Sequence, residues 1–155
     1  MYKTKYLFTS SAGGHYAQLK SLINKINVDD YLVLTERTKI KQKSSNKIKF
    51  LLYGSTDEFH YILKLIYNFI KSLIIFIKYR PRYIISTGVH STIPIIIIGK
   101  IFGSKIIYIE SYAKVYTGTR TGKFIYKYKL YDYFFVQWKE LLAVYPKAIY
   151  GGSIY

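Results

Sequence analysis

Tyr6-Leu7-Phe8-Thr9-Ser10-Ser11-Ala12-Gly13-Gly14-His15, continuing through Tyr16 to Ile26, is the stretch that decides the fold. Tyr6 to Thr9 has the character of a short buried strand, and Ser10 to His15 is a loop of small residues. From Tyr16 to Ile26, Leu19, Leu22, Ile23 and Ile26 recur at helical spacing and form one apolar face. Strand, glycine loop and helix then recur along the chain, which reads as α/β with a mostly parallel sheet and helices on both faces.

Working outward, further strands are expected at Tyr31 to Thr35, near Ile48 to Tyr53, and at Tyr83 to Ser86, Lys105 to Ile109 and Tyr133 to Val136. Helices are expected over Asp57 to Lys78, Ile93 to Phe102, Gly122 to Leu130 and Trp138 to Val144. Pro94 suits the first turn of the second of these, and Gly103 its stop. Arg37 to Lys49 is polar, strongly basic and expected as a surface loop. With 155 residues and no internal repeat, residues 1–155 are expected to form one domain.

The sequence has no cysteine, which excludes disulfides and thiolate metal sites. Its three histidines, His15, His60 and His90, are widely separated, and no His/Asp/Glu cluster suggests a metal. Met1 to Tyr6 runs straight into the first strand without a long apolar region, so no signal peptide is expected and the chain is placed on the cytoplasmic side. The net charge of +16 has three competing accounts: nucleic acid, an anionic membrane, or codon bias toward Lys, Ile and Tyr. Nineteen tyrosines keep base stacking open, but no nucleic-acid motif is present. The basic residues instead sit beside long apolar runs, which fits a membrane surface better.

Asp57 to Lys78 is long enough to span a bilayer, yet Lys64, Lys71 and Lys78 are seven residues apart and share one helical face with Asn68 nearby. A spanning helix would bury lysines near its centre at about 2.5–3.5 kcal/mol each. A helix lying in the interface lets the ammonium groups reach lipid phosphates while its apolar face enters the acyl boundary. The competing reading is a core helix of an α/β domain with one solvated stripe.

Three loops follow strands: Ser10 to His15, Thr87 to Thr92 and Glu110 to Thr121. Ligands of open parallel sheets bind outside the carboxyl ends of the strands, and small residues there let backbone N–H groups approach a phosphate. Ser10 to His15 is not the G-x-G-x-x-G dinucleotide pattern, and a plain tight turn would also use two glycines.

Ser11-Ala12-Gly13-Gly14-His15 and Ser86-Thr87-Gly88-Val89-His90-Ser91, with Pro94, resemble the two glycine loops of the N-acetylglucosaminyltransferases that act on lipid-linked sugars. Ile107-Tyr108-Ile109-Glu110-Ser111-Tyr112-Ala113-Lys114-Val115, with Thr121-Gly122-Lys123, resembles one branch in particular. So do Phe135-Val136-Gln137-Trp138 and Tyr145-Pro146-Lys147-Ala148. That branch is the membrane-anchor subunit of the eukaryotic two-part UDP-N-acetylglucosamine transferase of dolichol-linked oligosaccharide synthesis, whose bacterial relatives serve capsule and exopolysaccharide synthesis. The resemblance implies a Rossmann-like domain equivalent to the N-terminal half of a GT-B glycosyltransferase. It further implies a donor-binding partner subunit, a UDP-sugar reached through the complex, and a polyprenyl-diphosphate-linked acceptor. No cofactor and no nucleic acid enter. The eukaryotic subunit usually begins with a transmembrane helix that this sequence lacks, so attachment is expected to be peripheral, through Asp57 to Lys78 with Lys64, Lys71 and Lys78.

An inverting transferase needs a base for the acceptor hydroxyl and electrostatic support for the diphosphate. His15, His90 and Glu110 are the catalytic candidates. Each has a structural alternative: a satisfied loop histidine for the first two, an acceptor for backbone N–H groups for Glu110. Ser11, Gly13, Gly14, Thr87, Gly88 and Ser91 are the candidate contacts to the acceptor's diphosphate. Trp138 and the Tyr145-Pro146 turn suit core, capping or subunit contacts equally.

Overall fold

A computed structural model describes residues 2–37, 46–53 and 60–154. Seven strands form one parallel sheet: β1 (Thr4–Ser10), β2 (Tyr31–Glu36), β3 (Ile48–Leu51), β4 (Pro81–Ser86), β5 (Lys105–Ile109), β6 (Tyr133–Val136) and β7 (Ile149–Tyr150). Their spatial order is β3-β2-β1-β4-β5-β6-β7, so the direction of winding reverses between β1 and β4. This is the doubly wound arrangement, with its switch point at that pair. The register places Phe8 beside both Val33 and Ile85.

Apolar side chains alternate along the strands and feed two cores. One face carries Leu7, Leu34, Ile84, Ile106 and Phe134 against the helices α2 (Tyr61–Tyr79), α3 (Ile93–Ile101) and α4 (Arg120–Lys127). The other carries Phe8, Val33, Ile85 and Ile109 against Leu19 and Ile23 of α1 (Gly14–Ile26). With a single helix there among the described residues, this second face leaves an apolar groove between Leu22 and Ile26 of α1 and Ile107, Ile109 and Phe135 of the sheet.

Boundaries depart from the sequence reading where caps intervene. The helix α4 starts before Gly122 because the Thr119 hydroxyl accepts the Gly122 N–H and caps it. A short 3-10 turn, His90–Thr92, leads into α3, and the segment expected as a helix at Trp138 to Val144 is a 3-10 helix over Lys139–Ala143. The strand β7 was not anticipated; two residues offer no periodicity to read. The first residues of the expected Asp57 to Lys78 helix and most of the Arg37 to Lys49 loop lie outside the described residues.

The helix α2 does pack on the core through Ile75 and Phe76, but the stripe it turns outward is apolar rather than the polar one the core-helix alternative expects. Asn68, Ser72, Ile75 and Phe76 face the protein and are buried. Lys64 and Lys71 are half-buried on flanks of that inward side, and only Lys78 of the three lysines is exposed. Ile62, Leu63, Ile66, Phe69, Ile70, Ile74 and Ile77 face outward, with Ile62 68% exposed and Ile74 60%. Asn68 explains the inversion: its amide donates to the Leu52 carbonyl and accepts the Leu52 N–H, both at 2.9 Å, satisfying the backbone where β3 ends. Among the described residues, no helix is long and apolar enough to cross a membrane.

Candidate functional site

At the carboxyl edge, β1, β2 and β4 each end in polar pairs, Thr9-Ser10, Thr35-Glu36 and Ser86-Thr87, all fully buried. The loops after β1 and β4 meet at the switch point. His15 donates from Nδ1 to the Thr87 carbonyl at 2.9 Å, and the Thr87 hydroxyl donates to the His15 carbonyl at 3.2 Å. A carbonyl oxygen only accepts, so the proton of the neutral ring sits on Nδ1 and the lone pair on Nε2.

Backbone conformation shapes the crevice around this pair. Gly13 has φ +79° and precedes α1, whose N-terminus has no side-chain cap; a Cβ on Gly13 or Gly14 would meet nothing within 4 Å. The first N–H groups of α1 are thus not taken by a side-chain cap and carry the partial positive charge of a helix start. Gly88 has φ +107°, and a Cβ there would come 3.1 Å from the Tyr108 hydroxyl and 3.9 Å from the His15 ring. Val89 has φ 85° and ψ 147°, a region that is essentially glycine's alone and costly for a β-branched residue. Ser86 and Thr92 brace this bend: the Gly88 N–H donates to the Ser86 hydroxyl and the Thr92 hydroxyl to the Val89 carbonyl.

Not every candidate joins the crevice in the same way. Ser11 donates to the neighbouring Ala12 carbonyl. Ser91 is buried with no hydrogen-bond partner for its hydroxyl, a property it shares with Thr9, Ser10 and Thr35 and with one carboxylate oxygen of Glu36. Such orphaned oxygens at one sheet edge mark a place where water or ligand completes the bonding. Thr9, Ser10, Thr35 and Glu36 were not among the candidates read from the sequence, although the polar pair closing each apolar strand was the available signal. His90 is half-exposed and sits edge-on to Tyr61, ring centroids 5.7 Å apart, so the first turn of α2 borders the β4 loop.

Glu110 sits under the third loop, fully buried. One oxygen accepts the Ser111 N–H and the Thr119 hydroxyl, both at 2.8 Å. The other accepts the Thr119 N–H at 3.1 Å and the Tyr145 hydroxyl at 2.7 Å. Gly122 and Gly118 leave room for these groups, because a Cβ on either would collide with Glu110 or Tyr145. Burial, and then the Glu110 charge, hold the Tyr145 phenol far above the ordinary tyrosine range, and the same two causes raise Tyr108. The Gln137 amide donates to the Glu110 carbonyl and the Trp138 indole to the Tyr112 carbonyl, so both side chains fasten the same loop. Tyr108 lies between the networks, close to Gly88 on one side and 3.4 Å from the Thr119 hydroxyl on the other.

A doubly wound parallel sheet with a crevice at its switch point is a Rossmann-type fold, the kind of domain that builds GT-B glycosyltransferases. Acinetobacter baumannii MurG has this fold, with a TM-score of 0.69 at 11% identity, over 88% of this chain and 42% of that one. The UDP-GlcNAc 2-epimerase of Methanocaldococcus jannaschii matches with a TM-score of 0.67 at 11% identity, over 96% and 45%. The chain belongs to the family described as "Oligosaccharide biosynthesis protein Alg14 like", whose model matches residues 55–154. The UDP-N-acetylglucosamine transferase subunit ALG14 of Candida albicans is 28% identical over 165 aligned positions, covering 92% of this chain and 74% of that protein. Its human namesake is 32% identical over 83, covering 50% of this chain and 38% of its own length. The chain thus spans well under half of the human relative.

Proposed function

We propose that this chain is the membrane-recruiting, acceptor-binding subunit of a split GT-B glycosyltransferase. With a donor-binding partner chain it transfers a sugar from a UDP-sugar to a polyprenyl-diphosphate-linked glycan, in capsular or exopolysaccharide synthesis, at the cytoplasmic face of the membrane. The observation that carries the reading is the tautomer-fixing bond from His15 to Thr87, set between two glycine loops at the switch point. With Nδ1–H committed, Nε2 is the atom that takes the acceptor hydroxyl's proton as its oxygen attacks the anomeric carbon. The bond to the UDP leaving group breaks with its electron pair. The N–H groups of Gly14 and His15, with the loop at Gly88, hold the acceptor's diphosphate.

In this reading Glu110 shapes the loop above the crevice rather than moving a proton, because its four acceptor bonds are already occupied. His90 lines the crevice where it meets α2. The exposed apolar ridge of α2 from Ile62 to Ile77, about 23 Å long at 1.5 Å per residue, supports attachment to a bilayer surface. The family and the relatives' names support the split transferase and its partner.

The test uses membranes from cells making this chain together with its donor-binding partner, supplied with radiolabelled UDP-N-acetylglucosamine and a polyprenyl-diphosphate acceptor. His15→Ala is expected to lower turnover about 10²–10⁴-fold with complex formation intact. Full turnover in that variant would reduce the chain to a scaffold. Gly14→Val adds bulk into open space without a positive φ, so it should weaken acceptor use while the fold survives.

A further inference from the structure

Beside the outward ridge of α2 lies a groove of about 520 Å3 between the helix and the edge strand β3. Arg37, Lys49 and Lys71 line it, with Phe50, Ile70 and Ile74 as its apolar walls, and among the described residues no acidic one does. The Arg37 guanidinium stands 5.8 Å from the Phe50 ring centroid, and the Lys71 ammonium lies 5.3 Å from that of Tyr67, whose hydroxyl it reaches at 3.4 Å. Ile70 and Ile74 belong both to this groove and to the exposed ridge, so the groove opens onto the surface proposed to meet the bilayer.

We infer that this groove is a binding site for the headgroup of an anionic phospholipid. The lipid phosphate is held by Arg37, Lys49 and Lys71, and an acyl chain lies along Ile70 and Ile74. The inference rests on the membrane reading above and gives it a lipid class. Charge complementarity selects the occupant: a zwitterionic headgroup would leave three cations facing a choline or ethanolamine ammonium. A guanidinium held by stacking is suited to bidentate phosphate contact. A free phosphate offers nothing to the apolar walls, whereas a lipid satisfies both halves of the groove.

The experiment measures partition of the whole chain into phosphatidylcholine vesicles with and without phosphatidylglycerol. Binding of soluble dihexanoyl-phosphatidylglycerol is measured alongside it. Parent protein is compared with Arg37→Gln/Lys49→Gln and with the charge-matched Lys20→Gln/Lys25→Gln, whose lysines are exposed on α1 across the sheet. At an anionic surface each basic residue is worth about fivefold, so the groove pair should lose ~25-fold in phosphatidylglycerol partition. The α1 pair should lose less than about threefold. Equal losses from both pairs would show diffuse attraction and overturn the site. Saturable binding of the short-chain lipid, lost only in the groove pair, supports it. Displacement of that lipid by equimolar inorganic phosphate, or by polyglutamate, would overturn the lipid assignment in favour of a free anion or an acidic protein. If the parent bound no vesicle of any composition, the membrane reading would fail. The short-chain lipid would still decide whether the groove holds an anionic lipid.

Discussion

Glu110→Gln separates the two roles a buried carboxylate at a sheet edge can have. The side chain accepts four hydrogen bonds, two on each oxygen, from Ser111, Thr119 twice, and Tyr145. Glutamine keeps one oxygen and turns the other into an NH2 group that faces two donors. Both charge-assisted bonds to that position are lost: one donor is a backbone N–H, left against a like partner, and the other a hydroxyl, which has to turn and accept instead. Hydrogen bonds to a charged acceptor contribute about 1.5–3 kcal/mol each, and a buried donor left unpaired adds to the loss. The expected destabilisation is about 3–5 kcal/mol, a large part of the roughly 5–15 kcal/mol that holds a domain together. With a urea dependence of about 2 kcal/mol per molar, the midpoint should fall by about 2 M at unchanged slope. Tyr145→Phe removes one donor and should cost about 1.5 kcal/mol. Equilibrium urea unfolding followed by tryptophan fluorescence reads both, since Trp138 donates to the loop that Glu110 organises. A Gln variant unfolding at the parental midpoint while its partnered transfer is abolished would show that Glu110 is the base.

Val89 sits at φ 85° and ψ 147°, so Val89→Gly should relieve about 1–3 kcal/mol of strain and lose under about 1 kcal/mol to unfolded-chain entropy. The thermal midpoint is expected to rise while acceptor use falls; a lower midpoint would contradict the strain. Ile66→Asp with Ile70→Asp should leave unfolding unchanged, because both side chains are more than half exposed. Vesicle partition should drop about 100-fold or more, at about 1.5–3 kcal/mol per isoleucine removed from the bilayer, and flotation with lipid reads the effect. For Tyr145 and Tyr108, burial and then Glu110 raise the folded pKa, so the folded state keeps protons that the unfolded chain gives up. Stability should be full below about pH 10 and decline as pH rises beyond it. The decline should be shallower in Tyr145→Phe, and an equal slope in parent and variant would refute the assignment.

Much of this fold was legible because parallel strands buried on both faces leave nearly continuous apolar runs, as in Ile84-Ile85 and Ile106-Ile107. The loops at the carboxyl edge were legible through Gly13 and Gly88, where the chain turns sharply at positive φ, but the strand order that puts both at the switch point was not. The direction in which α2 faces was not. Periodicity gives the polar stripe of Lys64, Asn68 and Lys71 but not its side, and the inward choice is set by the Leu52 backbone that Asn68 satisfies. Glu110 was legible as a strand-end acid but not as a saturated one. Its donors come from residues 111, 119 and 145, which only the fold brings together.

These two surprises have a common consequence for how the site would meet its substrate. Turning Asn68 and Ser72 inward leaves the isoleucines of α2 outside. The first turn of the same helix touches His90 of the β4 loop through Tyr61. On the proposed function, a bilayer that takes the apolar ridge would bring its surface to the crevice edge, where a tethered diphosphate would reach the loops without its polyprenyl chain leaving the lipid. Meanwhile Glu110 and Tyr145 hold the β5–α4 loop, and the Tyr108 hydroxyl lies between Thr119 of that loop and Gly88 beside His15. The crevice is thus fixed from one side by a buried carboxylate and aimed from the other by a helix facing outward. Loosening Glu110 should disturb acceptor use even in a complex still bound to membranes, whereas the Ile66 and Ile70 variants should transfer normally to a short-chain, water-soluble acceptor. Loss of transfer to that soluble acceptor in the isoleucine variants would mean that α2 shapes the crevice itself rather than its distance from the bilayer.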